Sequence, residues 1–220
     1  IYRLIDEQEH MTDEIAVSIE KAKTITELDD IYRPYRPKRR TRATIAKEKG
    51  LGPLADIIWL QETTDQEIDR LALDFINEDE GIKTSQEAIG LALDIIAEKI
   101  SDDAKIRKLI REYTFKNGIL LTKAVTDKES VYEMYYDFSE PVSHIVSHRI
   151  LAINRAEKEK FINVTISVDQ DQVVNLVLAR LLTETCRCPQ LMEAGLIDAY
   201  RILTARSIER ESRNRVTAKA

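Results

Sequence analysis

Apolar residues recur along most of the chain at intervals of three and four. Ile68, Leu71, Ala72 and Phe75 stand at relative positions 0, 3, 4 and 7, and so do Ile89, Ala92, Leu93 and Ile96. Ile106, Leu109, Ile110 and Tyr113 repeat the spacing, which lines one face of an α-helix. Leu4, Ile5, Met11, Ile15, Ile19 and Ala22 fit one face of an opening helix. Start signals sharpen these assignments. Thr24/Glu27, Thr64/Glu67 and Thr84/Glu87 match the Ser/Thr-x-x-Glu box, in which hydroxyl and carboxylate occupy the orphan amides of a first turn. Ser101, followed by Asp102 and Asp103, reads as a further N-cap with acid at the positive end of the helix dipole. Residues 172–182, 190–204 and 205–220 read as helices again.

Period-two alternation is rare. Phe161, Asn163, Thr165 and Ser167 oppose Ile162, Val164, Ile166 and Val168, which predicts a strand. A short β-branched run at 119–125, entered through Asn117-Gly118, is a second. The pattern therefore predicts a mainly α fold: an irregular multi-helix scaffold with a minor two-stranded β element. Two regions are expected. Residues 1–137 form a helical region, and residues 138–220 form a helical region with a short strand that continues into a C-terminal part outside this chain.

Composition narrows the class. With 220 residues, 6 Gly, 5 Pro and 2 Cys, the chain is neither collagen-like nor a disulfide scaffold. Cys186 and Cys188 are one residue apart and read as ordinary thiols of a cytoplasmic protein. No apolar run approaches the roughly 20 residues of a membrane helix, so no membrane partner is expected. The Ile1-Tyr2-Arg3-Leu4 start lacks an initiator Met and a signal-peptide pattern, as in a piece of a longer protein.

Charge changes the picture most. The net charge is −6, yet residues 33–49 hold eight Lys or Arg against Glu48 alone. That is a local +7, leaving −13 to the rest of the chain. Pro34 and Pro37 are expected to hold residues 32–37 extended. Tyr32 and Tyr35 interleave with the arginines. Such a segment offers guanidinium and ammonium groups to phosphates and aromatic faces to bases. The candidate nucleic-acid-binding residues are Arg36, Lys38, Arg39, Arg40, Arg42 and Lys47, with stacking by Tyr35 or Tyr32. The competing account is internal: an acidic remainder supplies carboxylates, and Arg suits ion pairs between elements.

After the tract, residues 43–49 and 53–61 flank Gly50-Leu51-Gly52, the outline of a helix-turn-helix. The second helix carries only Asp56 and Gln61 as polar side chains, so it is built to be buried rather than to read base edges. A second basic face, with Lys105, Arg107, Lys108 and Arg111 on one helix and Arg206, Arg210, Arg213 and Arg215 on another, is accompanied by Glu112, Glu209 and Glu211. A solvated, ion-paired surface accounts for it.

Catalytic constellations are not found. His144 and His148 have metal-ligand spacing on a helix, but Ile145 stands where a zinc protease needs its general base, and no third ligand is near. Cys186 and Cys188 make half a metal site at best. No phosphate loop or nucleophile elbow is present. The acidic pairs Asp29-Asp30 and Asp102-Asp103, and the Glu78-Asp79-Glu80 run, suit caps, loops or partners of the basic tract. We therefore expect no enzyme, no cofactor and no metal.

The segment Tyr32-Arg-Pro-Tyr-Arg-Pro-Lys-Arg-Arg-Thr-Arg-Ala through Gly50-Leu51 resembles the Tex family of bacterial transcription accessory proteins, relatives of a eukaryotic transcription elongation factor. The resemblance extends through Pro53-Leu54-Ala55, Tyr136-Asp137-Phe138-Ser139-Glu140-Pro141, Ser147-His148-Arg149, Ser207-Ile208-Glu209-Arg210-Glu211 and Arg213-Asn214, in the family's order. It departs at Ala156, where the family commonly has Gly, and over residues 181–191. The resemblance implies an elongated helical scaffold that binds nucleic acid and is linked to transcription. It also implies that an RNase-H-like domain, helix-hairpin-helix elements and an OB-fold RNA-binding domain follow beyond Ala220. The expected partners are RNA or DNA, bound without sequence preference, and RNA polymerase or associated factors. The alternative is a protein–protein scaffold of the transcription machinery that uses its basic tract in internal ion pairs.

Overall fold

The computed structural model describes residues 1–37, 39–126 and 128–220. They form two compact units, the first of residues 1–108 and 174–204, the second of residues 109–173 and 205–220. The 137/138 boundary read from the sequence falls within the second. The fold is mainly α, with twelve α-helices and one three-stranded antiparallel sheet among the described residues. Among those residues, no helix is long and apolar enough to cross a membrane.

In the first unit the chain opens with α1 (Tyr2–Asp6) and α2 (Asp13–Lys21), two helices where the apolar pattern had predicted one. Glu9 adopts a left-handed conformation between them (φ 58), and Thr12 caps α2 by accepting from the Ile15 amide. Helix α3 (Ile25–Tyr32) starts at Thr24, whose hydroxyl accepts from the Glu27 amide, as the box predicted. A 3-10 turn, Arg33–Tyr35, follows. Helices α4 (Arg42–Glu48) and α5 (Gly52–Leu60) meet at Gly50, whose φ of 82° favours glycine. Helix α5 does bury Leu54, Ala55 and Ile58. Helix α6 (Asp65–Leu71) has the full reciprocal box between Thr64 and Glu67.

The spine of this unit is α7 (Ser85–Asp102), capped by Thr84. It buries Ala88, Ile89, Ala92, Ile96, Ala97 and Ile100 against α4, α5 and α11 (Pro189–Asp198). Buried Ala43 and Ala46 give α4 a small-residue face toward it. Gly195 lets α11 approach as closely, for a Cβ there would lie 3.1 Å from Ile96 Cγ2. Truncating such an isoleucine to alanine costs about 2–5 kcal/mol. Gln61 closes α5 in the left-handed region (φ 61) and is buried. Its Nε2 donates to the Leu181 carbonyl at 2.9 Å, and its Oε1 accepts from the Thr183 amide at 2.9 Å.

Ser101 is not the N-cap that the sequence predicted. It lies inside α7 and donates to the Glu98 carbonyl, while Asp103 caps α8 (Ala104–Asn117) by accepting from the Ile106 amide at 2.8 Å. The carboxylate is the stronger acceptor at that position.

In the second unit β1 (Ile119–Ala124) is the central strand, flanked by β2 (Asp137–Pro141) and β3 (Ile162–Ser167). Leu121 pairs with Ser139 on one side and Thr165 on the other. The expected two-stranded element is thus a three-stranded sheet. Strand β2 escaped the sequence reading because Asp137-Phe-Ser-Glu-Pro141 holds one large apolar residue. In β3 the alternation holds, with Ile162, Val164 and Ile166 buried. They pack with Leu120, with Ile150 and Ile153 of α9 (Ser147–Lys158), and with Val216 of α12 (Ala205–Ala218). Gly118 is required by close approach, since a Cβ there would meet the Thr114 carbonyl oxygen at 2.4 Å. Helix α10 (Gln170–Leu181) precedes α11, and a π-helical turn, Ala199–Thr204, precedes α12.

Candidate functional site

The basic tract is positioned at both ends by helix α3 and helix α4. Its first part is not extended: Pro34 sits at the start of the 3-10 turn, where its fixed φ suits a helical turn and its missing amide costs no hydrogen bond. The extended conformation begins at Arg36 (φ −67, ψ 130). Thr41 then caps α4, accepting from the Thr44 amide at 3.0 Å.

Most of the candidate cations face carboxylates. The Arg36 guanidinium pairs with Asp29 of α3. Arg40 reaches Glu48 through Nη2 at 2.6 Å and Nε at 3.2 Å. Arg42 Nη2 lies 3.1 Å from Asp94 Oδ1, and Lys47 Nζ lies 3.8 Å from Glu98 Oε2. Asp94 and Glu98 are one turn apart on α7, so the two pairs clasp α4 to the spine. Thr41 adds a third link, its hydroxyl donating to Glu98 Oε1 at 3.0 Å. Lys49 donates to the Glu80 carbonyl.

These pairs lie at the surface, the four cationic side chains being 48–68% exposed. Exposed pairs each contribute about 0–1 kcal/mol. Asp94 differs, at 14% exposed. Burial raises its carboxyl above the usual carboxylate range, the Arg42 charge opposes that rise, and Asp198 adds to it.

The aromatic rings are engaged too. Arg36 stands over the Tyr32 ring, 5.6 Å from its centroid, and Tyr35 packs on His10 with centroids 5.7 Å apart. Arg39 is exposed and makes no ion pair among the described residues. Lys38 lies outside the described residues. The sequence reading thus assembled the right cations, and it named Asp29 among possible partners. It missed Asp94 and Glu98, which helical periodicity presents as two acids among many.

Of the remaining candidates, His148 belongs to α9 while His144 precedes it in a turn, so the two do not share a helix face. No cluster of three metal-ligating side chains occurs among the described residues. On the second basic face, Arg107 pairs with Asp30, Lys108 with Glu27, Arg111 with Glu211 and Arg213 with Glu157. Ion pairing therefore accounts for much of it, but Arg206 and Arg210 make no ion pair among the described residues.

Comparison with known proteins identifies the family. A family profile described as Tex central region-like matches residues 63–218. The uncharacterized protein YdcI of Bacillus subtilis is 40% identical over 100% of this chain and 31% of its own length. Protein tex of Bordetella pertussis is 36% identical over 78% of the chain and 22% of its length. The transcriptional accessory protein Tex of Neisseria gonorrhoeae is 34% identical over the same shares. The chain thus spans less than a third of the length of these relatives. Since the profile covers well over half of the chain and the relatives align along it at 34–40% identity, the chain belongs to the Tex family.

Proposed function

We propose that the chain is a non-enzymatic helical scaffold within a transcription accessory protein of the cytoplasm, and that its basic tract fastens this scaffold internally. The observation that supports this reading is the pairing of Arg36, Arg40, Arg42 and Lys47 with four different carboxylates. Those carboxylates offset part of the tract's charge, and with it part of the steering that would draw a polyanion to it. The transcriptional role follows the name of the gonococcal relative, a transcriptional accessory protein. The protein surfaces are then left to dock polymerase or associated factors.

A second reading, phosphate contact through the tract, is favoured by Arg39, which has no ion-pair partner among the described residues, and by the weakness of exposed pairs. One experiment separates the two. Labelled RNA and DNA are titrated at two salt concentrations against the chain and its Arg39→Gln/Arg40→Gln/Arg42→Gln variant, and thermal midpoints are recorded. Internal fastening gives unchanged binding curves and a midpoint lowered by a few degrees, at about 2–4 °C per kcal/mol for this size. An unmoved midpoint with weaker, less salt-dependent binding overturns it in favour of phosphate contact.

A further inference from the structure

Cys186 and Cys188 lie in the loop between α10 and α11, and the end of α5 holds that loop in place. Gln61 Oε1 accepts the Thr183 amide at 2.9 Å, and the Gln61 carbonyl accepts the Arg187 amide at 2.9 Å. Arg187 Nη1 donates to the Glu62 carbonyl at 3.4 Å. The Cys186 amide donates back to the Thr183 carbonyl at 3.1 Å, and the Cys188 carbonyl accepts the Met192 amide of α11 at 3.2 Å. Between these anchors the two thiols are in hydrogen-bonding contact. Residues two apart in sequence have Cα atoms no more than about 7 Å apart, at the edge of the roughly 4.4–6.8 Å that a disulfide spans. Exposure separates the pair. Cys186 is half-buried, whereas Cys188 is 0% exposed and its Sγ donates to the Ile58 carbonyl at 3.6 Å.

We infer that Cys186 and Cys188 form a thiol–disulfide site that takes low-molecular-weight disulfides such as oxidised glutathione, with Cys186 attacking and Cys188 resolving. The order follows from burial. The thiolate is the attacking species, and burial pushes the Cys188 thiol up to about 12, so Cys186 is the one that meets a disulfide from solvent. Cys186 gives its proton to solvent, and its thiolate bonds to one sulfur of the reagent, whose S–S bond breaks and expels the other half as a thiolate. The mixed disulfide then stands beside Cys188. The Cys188 sulfur bonds to that of Cys186, and the remaining half of the reagent leaves as a thiolate and takes up the Cys188 proton. Two protein thiols and one small disulfide become one protein disulfide and two small thiols, the reagent being reduced. This second step is intramolecular, and a neighbour already in contact offsets a low thiolate fraction. A ring closed across Arg187 alone is strained, and strained disulfides are the labile ones, so excess small thiol reverses the reaction. Oxidation also removes the proton that Cys188 donates to Ile58 in the last turn of α5.

The test treats the folded, reduced chain with the aromatic disulfide DTNB, following thionitrobenzoate by absorbance and the chain by mass. Two equivalents are expected to be released, with the chain recovered free of adduct and lighter by two hydrogens. The second release is expected at a rate independent of reagent concentration, as an intramolecular step requires. Cys188→Ser is expected to halve the release and keep the adduct on Cys186; the readings on the unsubstituted chain stand whether or not that variant folds. Oxidised glutathione is expected to give the same adduct-free chain, and excess reduced glutathione to restore both thiols. No release from the folded chain, a lasting adduct on Cys186, or separate adducts on both cysteines overturns the inference. So does a glutathione adduct that Cys188 never displaces.

Discussion

Arg107 Nε donates to Asp30 Oδ1 at 2.8 Å, and the two side chains are 0% and 4% exposed. The pair joins the first turn of α8 to the last turn of α3, with Asp30 three positions before the basic tract begins at Arg33. Arg107 Nη1 also donates to the Ser101 carbonyl at 3.5 Å, at the end of α7. Two charges taken out of water gain little net stability together, but either one left alone is costly. We therefore expect Arg107→Met or Asp30→Leu alone to lose about 3–5 kcal/mol in urea unfolding. The double variant should recover most of that loss. Equal loss in the double variant would refute a mutually compensating pair.

The two cysteines predict an unequal chemistry. Cys188 is buried, its thiol donates to the Ile58 carbonyl at 3.6 Å, and burial pushes its pKa to about 12, with Cys186 and Asp65 adding to the rise. At pH 8 its thiolate fraction is then about 10⁻⁴. A Cys186→Ser chain should resist a disulfide reagent such as DTNB until it unfolds. Rapid stoichiometric labelling of the native chain would contradict this.

Acid stability should depend on opposing carboxylates. The hydrogen bond from Lys108 and that from the Lys23 amide hold Glu27 below the usual carboxylate range. Its contribution is complete above the unfolded value of roughly 4.3 and is lost as pH falls through the lower folded value. Asp94, raised mainly by burial, acts the other way: its cost at neutral pH is relieved as pH falls through its raised value. In denaturant titrations from pH 6 to 3, Glu27→Gln should flatten the acid loss and Asp94→Asn should steepen it. The same slope in both variants would show that neither carboxyl shifts on folding.

Local rules were legible in the sequence wherever one turn or one strand decides the outcome. The Thr64/Glu67 box is satisfied by neighbours within a few residues, and the alternation of Ile162, Val164 and Ile166 marks one face of a strand for burial whichever elements cover it. What stayed hidden depends on distant partners or on competition between near-equal local signals. Strand β2 exists because β1 offers it an edge. Asp103 displaced Ser101 as cap by two residues. The Thr12 cap and the left-handed Glu9 split a continuous apolar face into α1 and α2. At the site, the cations of residues 33–49 were evident, but Asp94 lies 52 positions from Arg42, and only the packing of α4 on α7 brings them together. The same limit misled on Arg206 and Arg210, read from the sequence as ion-paired, whose neighbours Glu209 and Glu211 look like partners until their bonds to Ile166 and Arg111 are seen.

Internal use of the basic tract is tested most directly by a double-mutant cycle of Arg42→Gln and Asp94→Asn, followed by urea unfolding at pH 7. Fastening of α4 to α7 predicts a stabilising coupling of about 0.5–1 kcal/mol between the two positions. Additive effects, with no coupling between the arginine and the aspartate, would contradict it.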